Sequence, residues 1–381
     1  MSIVIDDKKI IDINISNKNV QKIVDIFTGK IIFEKTKPVS NEYFYIENTY
    51  NGSNTISLKT TIGSDYTTGS HATELQYSKD KTNWTTITLS GTNTIPINSG
   101  ERVYFRNDNG FFNWFNSGSY QDYFCTEIDC TEAHKVGGNI NSLLDYKNPN
   151  VAITPYCFYQ LFYKNKNLTG ASELIFSKTS LAEGCYKGMF YDCSFLKTAP
   201  TELPATTLAD CCYESMFQRC TSLTTAPKLP ATTLKYNCYY GMFSSCKALT
   251  TAPALPATTL AGDCYERMFE YCSSLTTAPT LPATKLAGQC YRFMFFGCSK
   301  LTTAPTLPAT TLVDECYGYM FLDCTSLNNV TSYAKDIGSG TEYTYVWLNN
   351  VASTGTFHNL GSAIYPRNGN GIPTGWTEVK N

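Results

Sequence analysis

The sequence predicts an α+β protein. An N-terminal all-β module and a β-sandwich lead into a solenoid of about seven 26-residue strand–turn–helix coils with a C-terminal cap. Three observations carry that prediction. The chain of 381 residues is 16% charged and 14% aromatic, which suits a large buried core and argues against disorder. Short β-prone runs separated by turn residues fill the region before the repeat. From about residue 157 to 330 the sequence then repeats with a fixed period.

Residues 1–38 read as a small β module. Runs at 3–5, 10–15, 22–26 and 30–33 are strand-like, and Thr28-Gly29 marks a turn. The module resembles the attachment ends of phage fibres, which implies docking to a larger assembly. An accessory hairpin pair is the alternative. Residues 39–135 read as a β-sandwich, with candidate strands at 43–46, 55–59, 73–77, 85–89, 94–97 and 102–106. Within it, the segment Ser78-Lys79-Asp80 to Trp84 is similar to an Asp-box hairpin without its glycine and reads as a turn staple, not a catalytic element. Residues 136–330 form the solenoid with its own N-terminal cap, and 331–381 form the C-terminal cap.

The repeat is the strongest signal. Met-Phe pairs begin at Met189, Met216, Met242, Met268, Met294 and Met320, 26 residues apart after one 27-residue step. Each is preceded by Cys-Tyr (Cys185, Cys212, Cys238, Cys264, Cys290, Cys316) and followed by a second cysteine (Cys193, Cys220, Cys246, Cys272, Cys298, Cys324). A worn copy at Cys157, Leu161 and Phe162 leads in. Cys290, Met294, Cys298 and Leu301 fall at i, i+4, i+8 and i+11, a helical stripe. Asp263 and Glu266 have capping-box spacing for such a helix. The Leu-Thr-Thr-Ala run suits a brief strand that the following proline ends. Strand, turn and helix in one coil make a leucine-rich-repeat design.

The phrase Leu-Pro-Ala-Thr-Thr-Leu, Cys-Tyr, Met-Phe, Cys, Leu-Thr-Thr-Ala-Pro resembles the BspA-type leucine-rich repeats of gut Bacteroides-group bacteria and their phages. The usual form there has Ala-Phe where this chain has Met-Phe. The resemblance covers roughly 157–381, its tail from Ala352 to Trp376 being similar to the family's terminal cap. It implies a leucine-rich-repeat fold, with functions ranging from adhesins to phage virion parts.

The sixteen cysteines are expected to be buried, reduced thiols. Eight residues along a helix is about 12 Å and helices pack about 8–10 Å apart, whereas a disulfide needs Cα atoms within about 7 Å. Zinc spacing is missing, so no metal is expected. No cofactor or catalytic motif appears, and the three histidines, His71, His134 and His358, are isolated. The expectation is a protein that is not an enzyme. A formal net charge of −2 argues against nucleic acid, and no apolar run is long enough for membrane insertion.

Core positions barely change from coil to coil, while two slots after Cys-Tyr and two after Met-Phe vary. Aromatics accumulate there in the later coils. Tyr240, Tyr271, Phe293, Phe296 and Tyr319, with Glu266, Arg267, Glu270 and Arg292 between them, form the candidate ligand-binding face, expected to point outward. The leading reading is a structural and adhesive protein of a bacteriophage virion, a tail or head fibre, assembled in the bacterial host cytoplasm. The start of the chain shows no export signal. Its partners would be other virion proteins through residues 1–38 and a host-surface glycan or protein through the coils. Polysaccharide is the favoured ligand, and a homo-oligomer seam is the competing use of the face. A BspA-type adhesin on the bacterial cell surface, or a cytosolic interaction scaffold, is the alternative.

Overall fold

The chain divides into two compact units, residues 1–42 and 43–381. The computed structural model describes residues 2–6, 9–14, 22–24, 31–34, 42–64, 72–108, 110, 112–115, 123–148, 150–337 and 342–380. In the first unit Ser2–Asp6 (β1) pairs antiparallel with Lys9–Asn14 (β2), and Lys22–Val24 (β3) with Ile31–Glu34 (β4). The turn expected at Thr28-Gly29 lies outside the described residues.

The second unit begins with strands at the runs marked by the sequence. They are Phe44–Asn48 (β5), Asn54–Ile62 (β6), Glu74–Ser78 (β7), Thr85–Thr88 (β8), Thr92–Ile97 (β9) and Arg102–Arg106 (β10). Trp114–Phe115 (β11), Tyr123–Cys130 (β12), His134–Asn139 (β13) and Leu168–Ile175 (β14) follow. The sheets run β14-β13-β5-β10-β7-β8 and β11-β12-β6-β9. Alternation decides which side chains go inside. Ile56 and Leu58 on β6 are buried, and so are their cross-strand neighbours Ile95 and Ile128. Phe44, Ile46, Val103 and Phe105 join the same core from the other sheet. The expected turn staple is present: the Asp80 carboxylate accepts the Thr82 and Asn83 N–H groups at 2.8 and 2.7 Å. These bonds favour its charged form and hold its carboxyl well below the usual range. At the far edge β14 pairs in parallel with β13, and its Gly170 bridges Thr198 of the first clear coil.

From there the prediction of an α+β chain with a leucine-rich-repeat solenoid of strand–turn–helix coils is overturned. The helices among the described residues are the four-residue Ser142–Asp145 (α1) and a single 3-10 turn, Glu342–Thr344, and neither lies in the six clear coils. The Cys-Tyr-x-x-Met-Phe-x-x-Cys segment is a run of tight turns. Its amides alternate in role. Cys185, Lys187, Met189, Tyr191 and Cys193 donate N–H to the carbonyl three residues back. Tyr186, Gly188, Phe190 and Asp192 instead donate to Cys212, Glu214, Met216 and Gln218 in the next coil, at 2.7–3.0 Å. A helix keeps its backbone bonds to itself, whereas this ribbon spends half of them on its neighbour. Every fourth residue must then turn left-handed: Gly184, Gly188 and Asp192 have φ of 55°, 61° and 58°. Asp263, expected as a helix cap, occupies the same position in its coil with φ 55°. The Leu-Thr-Thr-Ala segments are not strands either. They touch neighbouring coils by isolated parallel bridges such as Thr198↔Thr225 and Thr251↔Thr277.

This difference has a measurable sign. Ser245, half-buried, has φ 62°. In a helix Ser245→Gly would cost a few tenths of a kcal/mol. In the ribbon, relief of left-handed strain is expected to raise stability by about 0.5–1 kcal/mol, read from urea midpoints.

Direct bonding between coils brings side chains into register. Phe162, Phe190, Phe217, Phe243, Phe269, Phe295 and Phe321 form one column, centroids 5.2–5.8 Å apart. Phe158, Tyr186, Tyr213, Tyr239, Tyr265, Tyr291 and Tyr317 form another at 5.6–6.1 Å. The cysteines fill the remaining width. Cys193, Cys220, Cys246, Cys272, Cys298 and Cys324 each donate S–H to a Phe carbonyl of the preceding coil at 2.9–3.1 Å. All sixteen cysteines are free, and all but Cys211 are buried. The coils lie closer than the helix spacing assumed from the sequence, so distance alone is not what separates the thiols. Burial pushes Cys272 up to about 12, which keeps it an unreactive thiol at neutral pH.

Beyond the last clear coil, Asn329–Ser332 (β15), Gly355–Asn359 (β16) and Trp376–Lys380 (β17) form a parallel sheet. Its first strand continues the bridge line Thr303↔Asn329. Trp347 takes the next Phe position, where its carbonyl accepts the Phe321 N–H at 3.0 Å and its indole covers Tyr317 at 6.2 Å. No helix among the described residues is long and apolar enough to cross a membrane.

Candidate functional site

The 26-residue register places Arg267, Phe293, Tyr319 and Tyr345 in one column across successive coils, with Glu270 and Phe296 in the column beside it. Five rings touch in a chain. Tyr271 meets Phe296 at 4.6 Å, Phe296 meets Phe293 at 5.9 Å, Phe293 stacks on Tyr319 at 4.3 Å, and Tyr319 meets Tyr345 at 5.1 Å. The end rings, Tyr271 and Tyr345, are 44% and 43% exposed, so the chain of rings opens to solvent at both ends. Phe293, Phe296 and Tyr319 are half-buried. Gly297 makes the arrangement possible: a Cβ there would lie 2.5 Å from the Tyr271 ring.

Arg267, Phe293 and Tyr319 occupy left-handed positions, with φ 57°, 55° and 56°. The same slot holds Gly188, Ser215 and Gly241 in earlier coils. Large side chains thus stand where glycine would fit without strain, a conformation that costs roughly 1–2 kcal/mol per residue.

Charges lie under the rings. Arg267 Nη1 donates to Glu270 Oε1 at 2.6 Å, and its Nε lies 3.4 Å from Glu266 Oε1. Ser244 Oγ donates to the other Glu270 oxygen at 3.1 Å. Arg292 pairs with Glu315 at 3.0 Å and lies 3.9 Å from Glu266. The Arg267 guanidinium sits 4.1 Å from the centre of the Phe293 ring, the same ring that stacks on Tyr319. Glu266 and Glu270 are buried, beneath the surface expected from the variable slots. Tyr240 is half-buried beside them, and the Glu266 carboxylate helps to raise its hydroxyl pKa after burial itself. All nine sequence-predicted residues therefore fall in one region, but in two layers: rings that reach solvent, and carboxylates and guanidiniums that mainly hold one another. Tyr345 was missed. The same period would have found it, because it lies 26 residues after Tyr319.

Burial raises the Glu266 carboxyl to about 7 from an ordinary 4.5, with Arg292 and Arg267 opposing the shift. A folded-state value above the unfolded one means that the folded protein holds the proton longer. Below about pH 4.5 both states are protonated and Glu266 carries no charge penalty. As pH rises to 7 and beyond, stability is expected to fall by on the order of 3 kcal/mol. Glu266→Gln should remove most of that slope, measured as urea midpoints at pH 5 and pH 8.

The histidines do not join this region. His71 lies outside the described residues. His134 is fully buried: its Nδ1–H donates to the Glu132 carbonyl at 3.0 Å and its Nε2 accepts from Asn165 at 3.2 Å. Burial pushes it down to about 4, so it stays neutral as a link between β13 and the first coil. His358 stands on β16. Comparison with known proteins finds no match among protein families, curated proteins or solved structures, so the likeness to BspA-type repeats rests on the repeat phrase alone.

Proposed function

We propose that the chain is a non-enzymatic structural and adhesive protein of a bacteriophage virion, a tail or head fibre that meets host-surface polysaccharide through the five-ring face. The observation that carries this reading is the contiguous run Tyr271–Phe296–Phe293–Tyr319–Tyr345, exposed at both ends. Exposed aromatic patches mark binding surfaces, and a sugar lays its C–H face on such rings. Rigid stacking beneath means little ordering cost on binding. Several copies on one fibre would add avidity to weak contacts.

The free, buried thiols favour folding in a reducing compartment, and so a virion protein assembled in a bacterial cytoplasm over an exported adhesin. The separate hairpin unit at residues 1–42 is the natural candidate for docking to other virion proteins.

The test is a glycan array with the wild type and a Tyr271→Ser, Phe293→Ser, Phe296→Ser triple variant, each first shown to keep its thermal transition. At least tenfold loss of glycan signal in the variant is expected. Loss of an oligomer in sedimentation, with no glycan signal from either protein, would make this face a seam between copies.

A further inference from the structure

A second built site lies on the sandwich and depends on none of the coil residues. Arg106 ends β10. Its guanidinium carbon sits 3.9 Å from the Trp84 ring centre and 4.2 Å from that of Tyr146. Tyr43 closes the corner, 5.9 Å from the same carbon, meeting Trp84 edge-on at 4.7 Å and Tyr146 at 5.9 Å. Arg106 Nε donates to Gln76 Oε1 at 2.8 Å. All four residues of the box are half-buried.

The walls are fixed from behind. Trp84 Nε1 donates to the Lys81 carbonyl at 3.1 Å on the turn that Asp80 staples. The Tyr146 N–H donates to the Asn107 carbonyl at 2.9 Å. The buried Ser142 hydroxyl accepts the Phe44 N–H at 2.8 Å and donates to the Phe105 carbonyl at 3.0 Å. One hydroxyl therefore ties the segments that carry Tyr43, Arg106 and Tyr146.

What this cation lacks is an anion. Glu47 and Glu173 are taken by Arg102, Glu101 by Lys79, and Asp108 by Lys147. Arg106 has no ion pair among the described residues. Three rings lie within 6 Å of its guanidinium carbon and Gln76 holds its Nε, so the planar Nη edge has donors with no acceptor among the described residues. That edge matches a carboxylate, which takes two parallel N–H bonds from one guanidinium. The geometry points to a carboxylate-binding site at Arg106, fitted to an acidic saccharide of the uronic acid class. The carboxylate docks on the fork, and the sugar body rests against the flanking Trp84 and Tyr43 rings. Pre-set walls favour binding because the guanidinium loses no freedom when the ligand arrives.

The test is calorimetric titration of the full chain with a glucuronate oligomer, its neutral glucose counterpart and inorganic phosphate. The acidic oligomer should bind at least tenfold more tightly than the neutral one. Arg106→Gln and Arg106→Lys should each weaken it at least tenfold, the lysine because a point charge lacks the fork. The triple variant of the coil face should bind it unchanged, which separates this site from that one. If Arg106→Gln loses its thermal transition, Gln76→Ala carries the test, with an expected loss of about threefold from freeing the guanidinium. Absence of glucuronate binding, equal affinity for the neutral oligomer, or binding retained in both Arg106→Gln and Gln76→Ala would overturn the site. Phosphate binding as tightly as the acidic oligomer would overturn the carboxylate assignment.

Discussion

Met268→Asp is expected to cost about 4 kcal/mol or more and to collapse the middle of the coil stack. Met268 is fully buried between Cys264 and Cys272, which are buried as well, and no cation lines that column. Its backbone works in both directions: its N–H closes a turn onto Tyr265, and its carbonyl accepts the Phe243 N–H at 2.9 Å. A carboxylate placed there has neither water nor a partner. Each coil has only its two neighbours to lean on, so the damage should spread both ways. Met268→Leu, which conserves volume, should cost less than about 1.5 kcal/mol. Urea unfolding followed by circular dichroism separates the two. A Met268→Asp midpoint equal to that of the wild type would place this side chain outside the core.

The inward side of the repeat was legible because burial needs only spacing. Cys185, Met189 and Cys193 recur at four-residue steps, and all are fully buried. The backbone was not legible from the same spacing. Four-residue steps fit a helical stripe loosely and a ribbon of four-residue turns fully, and side-chain burial cannot tell them apart. Two signals pointed to the ribbon. Glycine recurs at Gly184, Gly188, Gly241 and Gly297, all with positive φ. Cysteine and tyrosine, moderate helix formers at best, fill the segment that a stable helix would give to alanine, leucine or glutamate. In the sandwich, by contrast, the period-two alternation of β6 and β9 has no such competitor, and the strands appear where the pattern put them.

The candidate face was legible as a set of positions but not as layers. Tyr271 reaches solvent while its neighbour Glu270 turns under, because the ribbon alternates direction where a helix would sweep both around one arc. That turn brings Glu270 within reach of Arg267 and Ser244. Charge at these slots therefore reads as internal pairing, and the rings as the accessible part. The Arg106 box was invisible to motif reading, since Tyr43, Trp84, Arg106 and Tyr146 are far apart in sequence and meet only through the sheet order.

Phe269→Ala tests whether the columns are energetic units. Phe269 is fully buried, with Phe243 stacked 5.8 Å to one side and Phe295 5.7 Å to the other. Removing a core phenylalanine costs about 3–5 kcal/mol when the cavity cannot collapse. Here collapse is resisted: inter-coil hydrogen bonds such as Phe269 N–H to the Met294 carbonyl, 2.9 Å, hold the coils at fixed separation. The upper half of that range is therefore expected. Stacking should appear as coupling between neighbours. In a double-mutant cycle, Phe243→Ala with Phe269→Ala should depart from additivity by about 0.5–1.5 kcal/mol, the worth of an aromatic pair beyond its area. Phe243→Ala with Phe321→Ala, three coils apart in the same column, should add within about 0.5 kcal/mol. Equal coupling in both cycles would mean that the stack responds as one block, and the column would then carry no pairwise stacking energy of its own.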